Sequence, residues 1–233
     1  MKVTLINHTP MPEKMIVGAA RVCYSGAKDL DTLLDSITEE KIVEFLGKSA
    51  LANHGSVWEH ATFTFGLEGV SRALTHQLVR HRIASYDQQS QRYVSAKQFE
   101  YVTPPKIAKN PEAKELFDKT MSDLQSTYDR LVELGIPKED SRYVLPNACA
   151  SRLICTMNIR SLMHFFGLRC CTRAQWEIRD MANQMLKICQ EVAPKVFVAG
   201  ANCEQLGYCP EGDMCCGRAP TMAKLLEVYK GNK

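Results

Sequence analysis

Apolar and polar residues alternate along residues 2–6 and 61–69, and this pattern predicts two strands. In the second segment, Phe63 and Phe65 occupy alternate positions with threonine between them. Successive side chains of a strand point to opposite faces of a sheet, so a period of two indicates a strand with one buried face. A third segment, residues 153–157, is apolar and favours a strand by its composition.

Six longer segments carry apolar residues at intervals of three and four, which predicts helices with one buried face. They are residues 12–24, 38–53, 70–81, 112–134, 159–166 and 173–192. Strands and helices interleave without the regular rhythm of parallel crossovers, and no Gly-x-Gly-x-x-Gly follows a strand. The pattern therefore favours an α+β fold, with a mixed sheet flanked by helices in a single domain, over a dinucleotide-binding fold.

The composition limits the classes of partner. The chain has 233 residues, 45% of them hydrophobic, and a net charge of only +3. Such a charge is too small for a general binder of nucleic acids or membrane surfaces. The amino terminus is too polar for a signal sequence, and no apolar run approaches the ~20 residues that cross a bilayer. We therefore expect a cytoplasmic protein with no nucleic-acid or membrane partner.

Ten cysteines are a high number for a chain of this length. In the cytoplasm we expect reduced thiols or metal ligands rather than disulfides. The cysteines in apolar or helical stretches are predicted to be buried: Cys23, Cys149, Cys155, Cys170, Cys171 and Cys189. In the tail after residue 200, spacings of five residues between Cys203, Cys209 and Cys215 differ from those of common zinc sites. Surface thiols, a metal and a disulfide all remain open there, and we assign no metal ligand.

Residues 80–93 are rich in polar and charged side chains: three arginines, one histidine, two serines, one aspartate and three glutamines. Arginine stays charged and presents five donors in a rigid fork, which suits phosphate oxygens, while serine and glutamine can bind a base or a sugar. A solvated helix face is the simplest interpretation of a charged run. Because the charges do not alternate in sign and follow an apolar segment, an anionic ligand is the better hypothesis. Neighbouring residues of a helix face different ways, so Arg80, His81 and Arg82 would contact different parts of it.

The arrangement of these residues resembles the signature of the flavin-dependent thymidylate synthases. In that family Arg-His-Arg is followed by seven residues and then Ser-x-Arg, as in Arg80-His81-Arg82 and Ser90-Gln91-Arg92 here. Three further segments are similar to family motifs and occur in the same order: residues 54–60, 158–169 and 174–179. The resemblance covers roughly residues 1–200, which we expect to form the catalytic domain, with residues 201–233 as a cysteine-rich tail.

This resemblance implies an enzyme that converts dUMP to dTMP with FAD, NADPH and methylenetetrahydrofolate. It also implies a homotetramer whose sites are shared between subunits. The flavin carries the redox chemistry, so the side chains should be donors and cations that bind and orient. No cysteine has the Pro-Cys-Gln or Pro-Cys-His context of the cysteine-dependent thymidylate synthases, and we expect no cysteine nucleophile.

The resemblance also implies site residues. The expected dUMP contacts are Gln77, Leu78, Val79, Arg80, Gln88, Gln89, Ser90, Gln91, Arg92, Arg142 and Arg169, with Arg142 reaching the nucleotide from another subunit. The expected FAD contacts are Ser56, Arg80, His81, Arg82, Gln88, Asn158, Ile159, Arg160 and His164. His54 and Glu59 are expected near the flavin and the folate entry. Arg169 is the expected catalytic residue, because a fixed cation favours ionisation of uracil at N3.

Three positions depart from the family pattern. Gln88 stands where a glutamate is usual, His164 where some members have asparagine, and Arg173 where some have histidine. All three still donate hydrogen bonds. An alternative function is a non-catalytic RNA- or nucleotide-binding module in which tyrosines such as Tyr86 and Tyr93 stack on bases. The small net charge disfavours that alternative.

Overall fold

The chain folds into a four-stranded sheet and a series of helices. Residues 1–49, 55–94, 96 and 98–220 are described by the structure, a computed structural model, with residues 47–49 described by their backbone. The strands are β1 (Lys2–His8), β2 (Thr62–Ser71), β3 (Ser85–Gln88) and β4 (Ala150–Asn158), and their order in the sheet is β1-β2-β4-β3.

The sheet is antiparallel, so the expectation of a mixed sheet was wrong. At one end of the β2–β4 pair the Ile159 N–H donates to the Ala61 carbonyl, and at the other the Arg72 N–H donates to the Cys149 carbonyl. Residue numbers therefore rise along one strand as they fall along the other. Two parallel strands need a long connection between them, which is usually a helix. A helix between two strands in the sequence can also connect antiparallel strands, so it does not show that they are parallel.

The helices were largely predicted. Those found in the described part of the chain are α1 (Pro12–Val22), α2 (Leu30–Asp35), α3 (Glu39–Ser49), α4 (Arg72–Leu78), α5 (Pro105–Ala108), α6 (Pro111–Glu133), α7 (Lys138–Ser141), α8 (Ile159–Arg169), α9 (Trp176–Val192) and α10 (Asn202–Leu206). Single 3₁₀ turns occupy Gly55–His60, Arg142–Val144 and Gly212–Met214. The helices of the described residues include none with the length and apolarity that crossing a membrane requires.

One helix begins later than predicted. Val70 and Ser71 were expected in the helix before the Arg-His-Arg signature, but they are the last residues of β2. The Ser71 side chain accepts a hydrogen bond from the Leu74 N–H at 3.0 Å, so it caps α4. Because a cap residue has extended backbone, the strand runs directly into the cap, and Arg72 is the first residue of the helix.

The chain divides into two compact units. Unit 1 comprises residues 1–4, 66–82 and 86–155, and unit 2 comprises the described residues of 5–65, 83–85 and 156–233. In unit 1, Leu74 and Leu78 are fully buried, and Tyr128 of α6 is 1% exposed. The expected boundary between a catalytic domain and a tail at residue 200 stays a prediction.

Unit 2 contains an aromatic core. Phe197 packs edge-on against Phe63 and Phe166, with ring centroids 5.7 and 5.8 Å away. This is the geometry that aromatic pairs prefer, because the positive edge of one ring meets the negative face of the other. The core fixes β2 against α8, and α8 carries several of the predicted site residues.

Burial of the cysteines was predicted correctly at four of six positions. Cys149, Cys155, Cys170 and Cys189 are buried, whereas Cys23 is exposed and Cys171 is partly exposed. The two errors have one cause, since Cys23 follows the last turn of α1 and Cys171 lies in the connection between α8 and α9. Residues at helix ends are not held against the core by the periodicity of the helix.

Candidate functional site

The Arg-His-Arg turn that follows α4 is fixed by Tyr86 of β3. The Tyr86 hydroxyl donates towards the carbonyl oxygens of Leu78 and His81, at 3.0 and 2.8 Å. Burial raises the pKa of Tyr86, so the hydroxyl keeps its proton and stays a donor. Arg80 and Arg82 on this turn are exposed to solvent. The turn therefore has a rigid backbone and presents two cations.

Gln88 lies inside unit 1 and joins three elements. Its amide nitrogen donates to the Ser151 hydroxyl of β4 at 3.0 Å and to the Thr75 hydroxyl of α4 at 3.2 Å. A glutamate at this position could only accept from these hydroxyls. Gln88, where the family usually has glutamate, thus gives β3 a hydrogen-bond donor to α4 and β4. Its amide oxygen can still accept a hydrogen bond.

Three of the predicted nucleotide residues line one cavity in unit 1. Gln89, Ser90 and Gln91 form part of a wall around about 390 Å³, together with Arg72 and Arg152. Ligand pockets typically enclose about 300 to 1,000 Å³. The cavity therefore has the size of a small-molecule site. Its lining residues include two arginines, three glutamines and Ser90, and also Glu68 and Glu100.

Arg72 is the most deeply placed cation of this cavity. Its Nη2 donates to the Gln89 carbonyl oxygen at 2.9 Å, and its Nε–H is buried without a hydrogen-bond partner among the described residues. Burial lowers the pKa of Arg72, but arginine starts so high that it stays charged. An unpaired donor on a buried cation is costly unless an acceptor arrives, which is what an anionic ligand would supply.

Arg92 and Arg142 are brought together by α7. Arg92 donates from Nε and Nη2 to one carboxylate oxygen of Glu139, at 3.0 and 2.7 Å. Arg142 donates from Nε to the Glu139 carbonyl at 3.0 Å. The backbone N–H of Arg92 also donates to the Ser90 hydroxyl at 3.1 Å. Two arginines predicted from distant segments therefore share one anchoring residue.

The remaining predicted nucleotide residues contribute in different ways. Leu78 is fully buried, and its carbonyl oxygen accepts from the Tyr86 hydroxyl at 3.0 Å. Val79 is exposed, and the Gln77 amide donates to the Ala73 carbonyl at 3.4 Å. Gln91 donates from its amide to the Cys149 sulfur at 3.5 Å.

In unit 2, Arg160 lies across Gly55 and pairs with Glu59. Arg160 Nη1 is 2.5 Å from the Glu59 carboxylate. A β-carbon added to Gly55 would be 2.9 Å from the Arg160 guanidinium carbon, closer than real contacts allow. The absence of a side chain at Gly55 is therefore what admits the guanidinium beside the 3₁₀ turn that carries Ser56.

Asn158 and Ile159 begin α8 and have structural partners. The Asn158 side chain accepts from the Ser161 N–H at 2.8 Å and so caps the helix. Ile159 is fully buried, and its N–H donates to the Ala61 carbonyl. His164, which composition alone would place in the core, is exposed on the same helix. His54 lies outside the described residues.

Arg169 ends α8 and lines a second cavity, of about 210 Å³, in unit 2. Arg173, Arg218, Cys171 and Cys203 line the same space. Arg173 pairs with Glu211 at 3.3 Å and Arg218 pairs with Glu204 at 3.2 Å, so two of the three guanidinium groups at this cavity already have carboxylate partners.

Sequence reasoning missed Arg72, Arg152 and Gly55. Arg72 precedes the signature by eight residues, and its only local signal is its place after a serine that caps a helix. Arg152 is one of the outward-facing positions of β4. Gly55 had the clearest signal in the sequence, because it lies next to Ser56 within residues 54–60, which are similar to a family motif.

Comparisons with known proteins show the family of this chain. The family model described as thymidylate synthase complementing protein matches residues 4–195. A flavin-dependent thymidylate synthase of Clostridium tetani is 47% identical over 242 residues, covering 97% of this chain and 96% of the relative. The enzyme of that name from Geobacter sulfurreducens is 48% identical over 228 residues, with 97% of each chain covered. That of Nitratidesulfovibrio vulgaris is 49% identical over 233 residues, with 94% and 95% covered. The chain belongs to the flavin-dependent thymidylate synthase family of enzymes.

Proposed function

We propose that this chain converts dUMP to dTMP, with methylenetetrahydrofolate as carbon donor, NADPH as reductant and FAD as cofactor. The observation that carries the proposal is the unit 1 cavity, where the signature residues Gln89, Ser90 and Gln91 meet the buried cation of Arg72. The reaction is inferred from membership of the family, and the cavity is the proposed binding site of the anionic nucleotide.

The nucleotide phosphate is assigned to the arginines and the Ser90 loop of unit 1. A phosphate accepts several charge-assisted hydrogen bonds, which are roughly twice as strong as neutral ones. Arg72, with an unpaired Nε–H, and Arg92, held by Glu139, offer such donors. Residues 77–80 are proposed as further contacts of this nucleotide, and Arg142 is proposed to reach it from another subunit.

FAD is assigned to the residues that the family resemblance implies for it. In unit 1 the exposed cations Arg80 and Arg82 are proposed for its diphosphate, and in unit 2 Arg160, Ser56 and His164 offer it further hydrogen-bonding groups. Because Gly55 has no side chain, the Arg160 guanidinium can lie beside it, and this close fit supports a role for Arg160 in the site. When bound, the reduced flavin supplies the hydride that completes the new methyl group. The protein residues bind, orient and exclude water.

Arg169 is the residue proposed to act on the uracil ring. A guanidinium beside N3 favours loss of the N3 proton, because the fixed cation stabilises the anion that forms. This role needs a group that stays positively charged at the working pH, and the guanidinium of arginine does so. Arg169 is therefore the proposed catalytic residue of this chain.

No thiol is assigned a step in the reaction. Cys170, next to Arg169, is buried, and burial, with Glu204 adding to it, raises the pKa of its thiol to about 12. The same cause raises the pKa of Cys155 to about 12. Thiolates are the nucleophilic form, and these groups stay protonated. We place the enzyme in the cytoplasm, where thiols are kept reduced.

We also infer a homotetramer with sites shared between subunits, as the family resemblance implies. Light scattering coupled to gel filtration tests this directly. A tetramer mass with activity in the same peak is the expected result. A monomer that retains full activity at assay concentration would contradict shared sites.

The proposed function is tested by reconstitution. The purified protein is incubated with FAD, passed through gel filtration and examined for protein-bound flavin absorbance. The holoenzyme is then assayed for dTMP formation with dUMP, methylenetetrahydrofolate and NADPH, and with each omitted in turn. Bound flavin and dTMP that requires all three support the proposal, and a protein that retains no flavin overturns it.

A further inference from the structure

In unit 2, α10 packs against α8, the helix that ends at Arg169. The Gln205 amide nitrogen of α10 donates to the Met163 carbonyl oxygen of α8 at 3.0 Å. One turn further along α8, a β-carbon added to Gly167 would collide with the Asn202 amide oxygen. The absence of a side chain at Gly167 therefore lets α10 lie close against this face of α8.

Arg218 extends the contact to the end of α8. Its Nη2 donates to the Cys170 carbonyl oxygen at 3.0 Å. The last carbonyls of a helix lack partners in a following turn and carry a partial negative charge, so a guanidinium suits this place. Met163, Gly167 and Cys170 are four and three residues apart, and such positions lie on one face of a helix. The segment from α10 to Arg218 thus holds one face of α8 up to its end.

Arg218 is itself held by Glu204 of α10. Its Nε is 3.2 Å from Glu204 Oε1, while Glu204 Oε2 accepts from the N–H groups of Gly200 and Ala201 at 3.0 and 3.1 Å. The planar fork of arginine lets one side chain bind Glu204 and the Cys170 carbonyl together. The Arg218 side chain is 42% exposed, and ion pairs as open to solvent as this contribute little to stability. Its place at the end of α8 is better explained by what it holds.

The carbonyl that Arg218 holds belongs to the residue that follows Arg169. The Cys170 N–H donates to the Phe166 carbonyl oxygen at 2.9 Å, so both peptide groups of Cys170 have partners. The backbone from which the Arg169 side chain extends is thereby held from the helix on one side and from Arg218 on the other. Arg169 and Arg218 also line the same cavity.

We propose that Arg218 is a positioning residue for the reaction. By holding the end of α8, it keeps the Arg169 guanidinium where charge forms on the uracil ring. Electrostatic stabilisation of a transition state requires groups that are fixed before the charge develops. The inference rests on the function proposed above and on the role proposed there for Arg169. Arg218 itself is assigned no contact with the nucleotide or the flavin.

The test compares full-length holoenzymes that carry Arg218→Ala and Arg218→Lys. Lys195→Ala is the matched control, because this cation also joins a segment of unit 2 to other elements. It pairs with Glu13 of α1 at 3.3 Å and with Glu39 of α3 at 2.6 Å, and not with α8. Circular dichroism and thermal melting check the folding of each variant, and flavin absorbance checks that FAD is retained.

We expect Arg218→Ala to lower kcat about tenfold, since a misplacement of about 1 Å can lower a rate by up to about 100-fold. The KM for dUMP should stay within about twofold, because the lost effect acts on the transition state. The pH profile of kcat should move to higher pH, since a cation that has moved away from N3 favours its ionisation less. Arg218→Lys should recover part of the rate, and Lys195→Ala should keep it.

Unchanged kcat in Arg218→Ala overturns the proposal. If the KM rises instead, Arg218 binds the nucleotide itself, and if only the melting temperature falls, its contacts are purely structural. An equal loss of kcat in Lys195→Ala also overturns it, because any loosening of unit 2 would then have the same effect. If Arg218→Ala does not fold, Arg218→Lys carries the same comparison, since lysine cannot bind Glu204 and the Cys170 carbonyl with one fork.

Amide hydrogen exchange tests the contact without turnover. Peptides that cover residues 165–172 should exchange faster in Arg218→Ala than in Lys195→Ala, because the end of α8 has lost a partner. A wild-type protein that forms no dTMP removes the proposed function and the role of Arg218 with it. An active wild-type enzyme, with unchanged exchange in Arg218→Ala, removes the role of Arg218 alone.

Discussion

The Arg72 guanidinium donates from Nη2 to the Gln89 carbonyl oxygen at 2.9 Å, and so links the first residue of α4 to the signature loop. The same group keeps a buried Nε–H that no other described residue satisfies. One side chain thus holds the loop, lines the cavity and keeps a buried donor without a partner among the described residues. Because holding the loop and keeping a second donor both depend on the planar fork of arginine, they cannot be carried by a simple point charge.

We predict that Arg72→Ala weakens dUMP binding about 10- to 100-fold, the effect of losing a charged hydrogen bond worth about 1.5 to 3 kcal/mol. Arg72→Lys should recover only part of the affinity, because lysine keeps the charge without the fork. Calorimetric titration of the holoenzyme with dUMP measures this. Arg130→Ala is the control, since that side chain is exposed and pairs with Glu133 on the surface of α6 at 3.2 Å. Unchanged affinity in Arg72→Ala would remove this arginine from the nucleotide site.

We predict that Arg169→Ala lowers kcat more than it raises the KM for dUMP. A cation that stabilises charge formed during the reaction acts on the transition state, and its loss appears in kcat. One preorganised electrostatic contact is worth about 100- to 1,000-fold. Steady-state kinetics of Arg169→Ala and Arg169→Lys separate the two parameters. A variant with normal kcat and a raised KM would show that Arg169 only binds the nucleotide.

The elements with a clear period were predictable, and β3 was not. The alternation of residues 61–69 fixed β2 because its apolar face is buried in the core. The four residues of β3, Ser85–Gln88, are mostly polar and too short to show a period. They form a strand because β4 provides an edge to pair with, and that information lies about 60 residues away in the sequence.

Residues that are contiguous in the sequence could be grouped from the sequence alone. Gln89, Ser90 and Gln91 were expected to contact the nucleotide together, and they line one cavity, while their contact with a nucleotide stays a prediction. Arg72 could not be identified in this way, since its role depends on where β2 ends and α4 begins. The joint anchoring of Arg92 and Arg142 by Glu139 also depends on the packing of α7, for which the sequence pattern gave no signal.

We predict that Gly55→Ala weakens FAD binding several-fold. The new β-carbon would be 2.9 Å from the Arg160 guanidinium carbon, so the guanidinium must shift from its present position near Gly55 and Glu59. Gly26→Ala is the matched control, because a β-carbon there meets nothing within 4 Å. Flavin retention after dialysis and the fluorescence of released FAD measure the effect. Equal FAD affinity in both variants would mean that the position of Arg160 does not matter to the flavin.

We predict that the thiol of Cys170 does not react in the native enzyme. Its pKa is raised to about 12 by burial, and a raised thiol pKa keeps the group protonated at every pH below that value. Iodoacetamide at about pH 8 should therefore leave Cys170 unmodified until the protein is unfolded. Exposed Cys23 provides the internal control for labelling. Rapid labelling of Cys170 in the folded protein would contradict the burial.

The double variant Cys170→Ser and Cys171→Ser tests whether either thiol attacks the nucleotide. These two cysteines adjoin Arg169 and are the best-placed candidates for a nucleophile. Because Cys170 is buried, serine there introduces a hydroxyl that lacks the packing of sulfur, and we expect some loss of thermal stability. Turnover should fall by less than about tenfold, since an essential nucleophile costs far more than that when it is removed. Single-turnover formation of dTMP, measured beside FAD and dUMP binding, separates chemistry from folding. A folded double variant that binds both ligands and forms no dTMP would establish a cysteine nucleophile and exclude the flavin-only route for this chain.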